Sequence, residues 1–293
     1  MDGVIVVDKP QGWTSHDVVA KMRRLANTKK IGHLGTLDPM ATGVLPLVVG
    51  RATRLAQFFT RNEKAYEGTI RFGFATNTYD AEGQATPEPS AVTPTREEVE
   101  AALVSFRGTF LQTPPAVSAK KIAGRPAYEL ARKNIAVDLP AVEVTVYELE
   151  LTNFAGTDAF VKIRCSAGTY LRSIAHDLGQ NLGCGAHLAA LRRTASGDFV
   201  IQSARTMDEL MALAAEGRIK EALLPAAELL PGFPAERLDQ VTVGQIRQGR
   251  EFRVSPFRVR PGSKYVKALS HDGDLVAIGE AKLPNVYHPI LVF

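Results

Sequence analysis

Cysteine is scarce in this sequence, and long apolar runs are missing from it. Its two cysteines, Cys165 and Cys184, are far fewer than a disulfide-stapled scaffold uses. No apolar run approaches the roughly 20 residues that cross a bilayer, and the opening residues MDGVIVVDKPQGW lack the features of a secretory or targeting peptide. We therefore expect a soluble protein of a reducing cytoplasm, with no membrane association.

Motifs that hold metals or phosphates are also absent. The two cysteines and six histidines form no C-x-x-C or H-E-x-x-H set, and the spacing of Cys184 and His187 has no second pair. The segment GHLGTLDPMATG lacks the Lys-Ser/Thr ending of a P-loop, and no G-x-S-x-G nucleophile elbow occurs. We expect neither a cofactor nor a metal, so that any chemistry comes from ordinary side chains.

Basic residues are concentrated in three segments, although the formal net charge is only +4. Residues 18–62 hold eight Lys or Arg and one acid, Asp38, while residues 247–267 hold seven Lys or Arg and one acid, Glu251. The third segment is SAKKIAGRPAYELARK. One such segment is typical of a solvated face, but three along one chain favour a polyanion lying across the surface. The sign of the charge indicates nucleic acid without distinguishing RNA from DNA.

Hydrophobic periodicity predicts an α+β fold with a mixed or antiparallel sheet and flanking helices. Strand patterns cover VIVVDKP, TGVLPLVVG, KAYEGTIRFGFAT and an antiparallel pair, AVEVTVYELELTNF and DAFVKIRCS. Helix patterns cover TSHDVVAKMRRLA, a capping box at TREE that leads to about Phe106, the amphipathic TYLRSIAHDLGQNLG and a second capping box at TMDEL.

Proline and glycine break the periodicity around residues 229–236, in LLPGFPAE, and only short β-like runs follow. We therefore predict one large domain over residues 1–236 and a small all-β module over residues 237–293.

The acid of the first basic segment, Asp38, is isolated in the stretch GHLGTLDPMATGVL. An Asp followed by Pro, Met and Ala is typical of a helix start, where the carboxylate caps free N–H groups and the proline fills the first helical position. The local pattern therefore has a structural interpretation that competes with any catalytic one.

Four ordered blocks of the sequence resemble the signature blocks of the TruB family of pseudouridine synthases, which modify uridine 55 in the T-loop of tRNA. The blocks are DKPQGWTSHDVV, IGHLGTLDPMATGVLPLVVGRATRL, KAYEGTIRFGFATNTYDAEG and CSAGTYLRSIAHDLGQNLGCGAHLAALRRTASGDF. They span most of residues 1–200 in the family's order and spacing. The resemblance implies the pseudouridine-synthase fold and a tRNA T-stem-loop as partner, and nothing in it demands more than a monomer.

The resemblance implies three catalytic residues. Pseudouridine formation breaks the N1–C1′ bond and joins C5 to C1′ without gain or loss of electrons, which fits the lack of cofactor motifs. Asp38 matches the family's nucleophile, which must be ionised at neutral pH. Arg172 matches the arginine whose charge favours that ionised form in a closed pocket. Tyr66 matches the tyrosine that stacks on the target base and is proposed to move its proton.

The resemblance also implies four substrate-binding residues. Tyr170 and Leu191 match aromatic and aliphatic walls of the uridine pocket. His33 matches the histidine that occupies the space of the flipped base. Lys9, in another signature block, supports the pocket or contacts phosphate.

Two further segments resemble RNA-binding parts of the family. A basic insertion over about residues 112–140 resembles its RNA-gripping insertion, although alone it is typical of a basic helix. Residues 237–293 weakly resemble a PUA-type RNA-binding barrel, whose basic residues suit contact with phosphates. The alternative is a tail that mainly buttresses the catalytic domain.

The leading hypothesis is therefore a tRNA pseudouridine(55) synthase. Two alternatives are an RNA-binding or tRNA-folding factor that performs no chemistry, and a related synthase that acts on another RNA. Asp38, Tyr66, Tyr170 and Arg172 together favour an enzyme, because a pure binding protein needs no buried nucleophile.

Overall fold

The computed structural model describes residues 1–86, 92–115, 121–122, 125–126, 139–259 and 262–293. The fold is α+β, as predicted, and its main feature is one large mixed sheet. The strands of this sheet are β1 (Gly3–Lys9), β2 (Ile31–His33), β3 (Thr42–Val49), β4 (Lys64–Phe72), β5 (Gly108–Gln112), β8 (Val142–Ala155), β9 (Asp158–Cys165), β10 (Ala186–Ser196), β11 (Phe199–Val200), β12 (Arg205–Thr206) and β13 (Leu224–Pro225). A separate two-stranded sheet consists of β6 (Lys121–Ile122) and β7 (Arg125–Pro126).

The large sheet has the strand order β12-β1-β3-β10-β4-β9-β8-β5, with β13, β2 and β11 pairing at its side. Two of the pairings, β1 with β12 and β3 with β10, are parallel. The order brings β10, late in the chain, between the early strands β3 and β4. Residues far apart in sequence therefore meet at the centre of this sheet.

Helices pack against the sheet. They are α1 (Ser15–Leu25), α2 (Arg96–Leu103), α3 (Leu171–Asn181) and α4 (Met207–Ala215), with 3₁₀ turns at Gly50–Phe58, Val104–Phe106, Ile201–Ser203 and Ile219–Ala222. The apolar stripe of α3 joins α2 and strands β4, β8 and β9 in one buried cluster. A second cluster packs α1 and α4 on β1 and β3.

Local sequence signals explain where three helices begin. In α1 the Thr14 hydroxyl accepts from the Asp17 amide at 3.0 Å, and the Asp17 carboxylate accepts from the Thr14 amide at 2.9 Å. The same capping box starts α2 at Thr95 and α4 at Thr206. Each box satisfies amides that have no partner within the helix, so these predicted starts are confirmed.

The C-terminal residues form a second sheet of five strands. These are β14 (Ala235–Arg237), β16 (Tyr265–Leu269), β17 (Leu275–Leu283), β18 (Val286–Val292) and β15 (Phe252–Arg253), in that spatial order. A helix that was not predicted from the sequence, α5 (Gln240–Arg247), packs on this sheet. Its β-branched residues resemble a strand, but Asp239 caps it by accepting from the Thr242 amide at 2.8 Å.

The second sheet packs directly on the large one. Apolar side chains from both meet in one cluster, which includes Leu275, Ile278, Leu291 and Phe293 on one side and Val4, Val6, Leu55 and Phe59 on the other. The buried Lys267 ammonium adds bonds of 2.9 Å to the carbonyls of Ala227 and Leu229. This packing is what the buttress interpretation expects.

Helices in the described part of the chain are too short or too polar to span a bilayer. The basic insertion predicted around residues 112–140 falls mostly outside the described residues.

Candidate active site

A cavity of about 500 Å³ opens between the segment that follows β2, the strands β4 and β10, and the N-terminus of α3. Six of the seven site residues singled out from the sequence line it: His33, Asp38, Tyr66, Tyr170, Arg172 and Leu191. The seventh, Lys9, lies behind the cavity wall. Residues from five separate parts of the chain are therefore brought into one site.

Asp38 lies in a turn, so its interpretation as a helix start is wrong. The amide of Ala41 donates to the Asp38 carbonyl at 3.1 Å, and strand β3 begins one residue later at Thr42. The Pro39 carbonyl accepts from the Gly12 amide at 2.8 Å. The chain is thus pulled into the sheet before a helix can form, and the Asp38 side chain is turned toward the cavity.

Buried polar side chains hold the backbone on both sides of Asp38. The Ser15 hydroxyl accepts from the Leu37 amide at 2.8 Å and donates to the Leu37 carbonyl at 3.1 Å. The Arg193 guanidinium donates to the carbonyls of Val44 at 2.7 Å and Gly35 at 3.2 Å. Neither Ser15 nor Arg193 was predicted from the sequence, because their partners are backbone atoms that leave no trace in a side-chain pattern.

Lys9 is fully buried beneath the same turn. Its ammonium donates to the carbonyl of Pro10 at 3.0 Å, to that of Pro39 at 3.2 Å and to that of Trp13. Burial lowers the pKa of Lys9 to about 8, with the Asp38 charge opposing that change. The geometry matches support of the Asp38 turn, since the ammonium does not reach the surface.

The Asp38 carboxylate is paired with an arginine that is itself paired twice. The Arg172 Nε lies 3.0 Å from Asp38 Oδ2, and the Arg172 Nη1 lies 3.2 Å from Asp80 Oδ2. The same Nη1 donates to the Thr78 carbonyl at 3.2 Å. The side chains of Arg172 and Asp80 are only 7% and 3% exposed, whereas that of Asp38 is 38% exposed where it faces the cavity.

Asp80, which also was not predicted from the sequence, is fixed by its neighbours. Its Oδ1 accepts from the Thr78 hydroxyl at 2.6 Å and from the Glu82 amide at 3.1 Å. A Cβ on Gly83 would lie 2.2 Å from the Thr78 hydroxyl oxygen, so the turn requires glycine there. The turn therefore presents a preorganised carboxylate that orients the planar Arg172 guanidinium toward Asp38.

The cavity shifts the pKa of Asp38 in opposing directions. Burial raises the pKa of the Asp38 carboxyl above its ordinary value, the Arg172 guanidinium lowers it, and the Asp80 carboxylate raises it further. The net direction is upward. The guanidinium is thus the main group that keeps the ionised form of Asp38 accessible near neutral pH.

A β-bulge shapes the wall that faces Asp38. Alternation along a strand would place residues 188 and 191 on opposite faces. The register of β10 against β4 shifts between Leu188 and Ala190, so that Leu188 and Leu191 both line the cavity. Tyr66 is opposite Arg193 in the same ladder. Burial raises the pKa of the Tyr66 phenol, which keeps it protonated at neutral pH.

His33 and Tyr170 both line the cavity. His33 ends β2, and burial lowers the pKa of its imidazole, with the Arg193 charge acting in the same direction. Among the described residues, no group accepts from or donates to its buried Nδ1. Tyr170 is the residue before the first turn of α3. A neutral imidazole and a phenol ring are flat surfaces suited to stacking on bases.

No cluster of three or more His, Cys, Asp or Glu side chains that could hold a metal ion occurs among the described residues.

Comparisons with known proteins agree on one family. Residues 23–171 match the TruB family pseudouridylate synthase N-terminal domain, and residues 172–231 match the tRNA pseudouridylate synthase B C-terminal domain. The chain is 63% identical over 292 residues to tRNA pseudouridine synthase B of Solibacter usitatus (strain Ellin6076), with 100% of each chain covered. It is 44% identical over 301 residues to the protein of that name from Thermobifida fusca (strain YX), covering 100% of this chain and 98% of the relative.

Solved structures are similar over the same length. The structure of a Cbf5-Nop10-Gar1 complex matches with a TM-score of 0.73 at 27% identity, covering 98% of this chain and 83% of that chain. An H/ACA RNP bound to a substrate RNA containing 2′-deoxyuridine matches with a TM-score of 0.72 at 25% identity, covering 99% of this chain and 84% of that chain.

The fold and site together define an RNA-modifying isomerase of the pseudouridine-synthase class. Within that class, the chain belongs to the TruB family of pseudouridylate synthases.

The opposing effects on Asp38 predict how its titration responds to loss of the guanidinium. We expect the Asp38 carboxyl to titrate above its ordinary pKa of 3.8, and the Arg172→Gln variant to titrate at still higher pH, because the group that lowers this pKa is gone. NMR of carboxyl-¹³C aspartate in the full chain measures both midpoints.

The control is Arg192→Gln, which removes an arginine that is paired with Asp8. It leaves the Asp38 midpoint in place. A midpoint at or below 3.8 in the unaltered protein, or a downward shift in Arg172→Gln, contradicts these opposing effects on Asp38.

Proposed function

We propose that this protein converts uridine 55 of the tRNA T-loop to pseudouridine, with Asp38 as nucleophile. One observation carries the proposal: the Asp38 carboxylate lies 3.0 Å from a buried arginine and faces a cavity of about 500 Å³ that two tyrosines line. A protein that only binds or folds tRNA has no use for a carboxylate placed in this way. Both relatives carry the name tRNA pseudouridine synthase B, which supports tRNA as the substrate class.

The reaction follows from the groups in the cavity. The target uridine is turned out of the T-loop stack so that its base and C1′ enter the cavity, and His33 fills the space it leaves. The Asp38 carboxylate acts as the nucleophile while the N1–C1′ bond breaks, and the electron pair of that bond leaves with the uracil. The bond that Asp38 forms to the substrate is broken again before the product leaves. The uracil rotates and its C5 bonds to C1′, the C5 proton leaves, and N1 gains a proton. The product is an isomer of the substrate.

The walls of the cavity keep the detached uracil in place. Tyr66 and Tyr170 provide flat aromatic surfaces, and Leu191 closes the apolar side. Because the pKa of Tyr66 is raised, its phenol is protonated and is able to donate to a carbonyl of the base. In this proposal the Tyr66 hydroxyl gives its proton to N1 of the detached uracil and then takes the proton that leaves C5, so that the phenol is restored at the end of the reaction.

The role of Asp38 as nucleophile is tested by changing Asp38 itself. The Asp38→Asn variant keeps the shape of the turn but has no nucleophile, so we expect single-turnover formation of pseudouridine to fall by at least about 10⁴-fold. The affinity for unmodified tRNA stays close to that of the unaltered protein. Mass-spectrometric mapping of the product and filter binding measure the two quantities.

Asp208→Asn is the matched control, because it removes one negative charge from the exposed first turn of α4. It keeps full activity. Normal turnover by Asp38→Asn excludes Asp38 as nucleophile, and a product mapped elsewhere than position 55 overturns the assignment of the target.

We also propose that residues 1–236 form the catalytic domain and that residues 237–293 form a module with two roles. Strand β14 (Ala235–Arg237) of the module's sheet crosses this boundary. The module's inner side packs on the large sheet through the cluster around Leu275 and Leu291. It also carries exposed basic residues, including Arg247, Arg250 and Arg253, and Phe257, which is 97% exposed. Basic side chains interleaved with an aromatic suit a phosphate backbone and an exposed base.

Deletion of this module would uncover the shared core, so charge neutralisation is the sharper test. In a variant with Arg247, Arg250 and Arg253 all changed to Gln, we expect weaker tRNA binding. The salt slope, which is the slope of the logarithm of tRNA affinity against the logarithm of salt concentration, becomes smaller by about 1 for each phosphate that the variant no longer neutralises. The rate at saturating tRNA is unchanged, because the cavity is untouched.

The matched control neutralises three exposed arginines that are each paired with a glutamate in the large domain: Arg96, Arg205 and Arg218. It leaves the salt slope as it was. If the C-terminal variant binds tRNA with unchanged affinity and slope, the module serves only as a buttress.

A further inference from the structure

One buried side chain outside the reacting groups is matched to the backbone of a cavity residue. Gln112, the last residue of β5, is 2% exposed. Its Nε2 donates to the Tyr170 carbonyl at 3.0 Å, and its Oε1 accepts from the Tyr170 amide at 2.8 Å. A single amide thus satisfies both backbone groups of one residue, as a neighbouring strand would.

This pairing fixes the backbone at the start of α3. Tyr170 precedes the first turn of α3 and makes no side-chain cap bond to that helix. Buried backbone groups at such a position need partners from elsewhere. Gln112 is that partner for the Tyr170 amide, while the Tyr170 carbonyl also accepts from the Ile174 amide at 3.3 Å. The Thr113 carbonyl, next to Gln112, accepts from the Ser173 hydroxyl at 3.0 Å.

The other end of the same cavity wall is held in a similar way. The wall runs from Ser166 to Tyr170. The Ser166 amide donates to the Thr145 carbonyl at 2.8 Å, and the Ser166 hydroxyl accepts from the Thr145 amide at 3.0 Å. Because Thr145 is in β8 and pairs with Thr109 of β5, both ends of the wall are fixed to the one β5–β8 ladder.

We propose that Gln112 is a positioning residue for the reaction, because it fixes the Tyr170 backbone so that the Tyr170 ring walls the uridine site. The proposal rests on the proposed function for the role of that site, while the contact between Gln112 and Tyr170 stands apart from it. Gln112 itself does not line the cavity. It acts through Tyr170 alone.

A positioning role predicts a loss of rate without a matching loss of binding. In Gln112→Met, a side chain of similar length packs in the same space but offers no hydrogen bonds. We expect the single-turnover rate to fall about 10- to 100-fold, the scale of a misplacement by about 1 Å. The affinity for tRNA changes less than about threefold, since most of that affinity comes from phosphate contacts far from Tyr170.

The test combines this variant with Tyr170→Ala in a double-mutant cycle. Once the Tyr170 ring is removed, Gln112→Met costs little further rate. Thr152→Val is the control, because it breaks a 3.0 Å side-chain bond from β8 to the Phe160 carbonyl without touching Tyr170 or the Ser166 end of the wall. It keeps the rate of the unaltered protein. A full additional loss in the Tyr170→Ala background, or an unchanged rate in Gln112→Met, overturns the proposal.

Hydrogen exchange at the Tyr170 amide provides a readout that needs no activity. We expect faster exchange in Gln112→Met than in Thr152→Val or the unaltered protein, because the amide loses its acceptor. If the unaltered protein makes no pseudouridine, the proposed function fails while this exchange still tests the positioning. Equal exchange in all three proteins overturns the positioning role, whatever the activity.

Discussion

The row of charges from Asp38 through Arg172 to Asp80 is the constraint on which the site depends. Arg172 lies between two carboxylates, at 3.0 Å from one and 3.2 Å from the other. Only Asp38 faces the cavity, while Asp80 is buried and held by Thr78 and the backbone. Asp80 therefore orients the guanidinium, and the guanidinium offsets the effect of burial on Asp38. An aspartate alone in this cavity would bind a proton more readily and be a weaker nucleophile.

The rest of the site is built by side chains that hold backbone atoms. Lys9, Ser15 and Arg193 bind carbonyls and amides around the Asp38 turn, and Gln112 binds both backbone groups of Tyr170. None of these side chains is a reacting group in the proposed mechanism. Their common effect is to remove freedom from the residues that do react, which is what preorganisation of a catalytic site requires.

Local signals in the sequence predicted local structure well. The capping boxes of α1, α2 and α4 are complete within four residues, and the apolar stripe of α3 needs only its own periodicity. Asp38 shows the limit, because its helix-start pattern is overruled by tertiary contacts to Gly12 and Lys9 that pull the chain into β3. Asp80, Gln112 and Arg193 were not predicted as site residues, because the partners of their ion pairs and hydrogen bonds are far away in the sequence. The strand order that brings β10 between β3 and β4 is not written in any single segment. The family resemblance supplied Asp38 and Arg172 as a pair, whereas the third charge, Asp80, came only from the structure.

The most direct test of this row of charges is the Arg172→Lys variant, measured both for single-turnover pseudouridine formation and for tRNA affinity. A lysine keeps the positive charge but has no planar fork with which to bind Asp38 and Asp80 at once. We expect the rate to fall at least about tenfold more than the affinity does. Equal losses of rate and affinity would show instead that Arg172 is an ordinary contact to RNA, and would contradict the catalytic role of the Asp38–Arg172–Asp80 row.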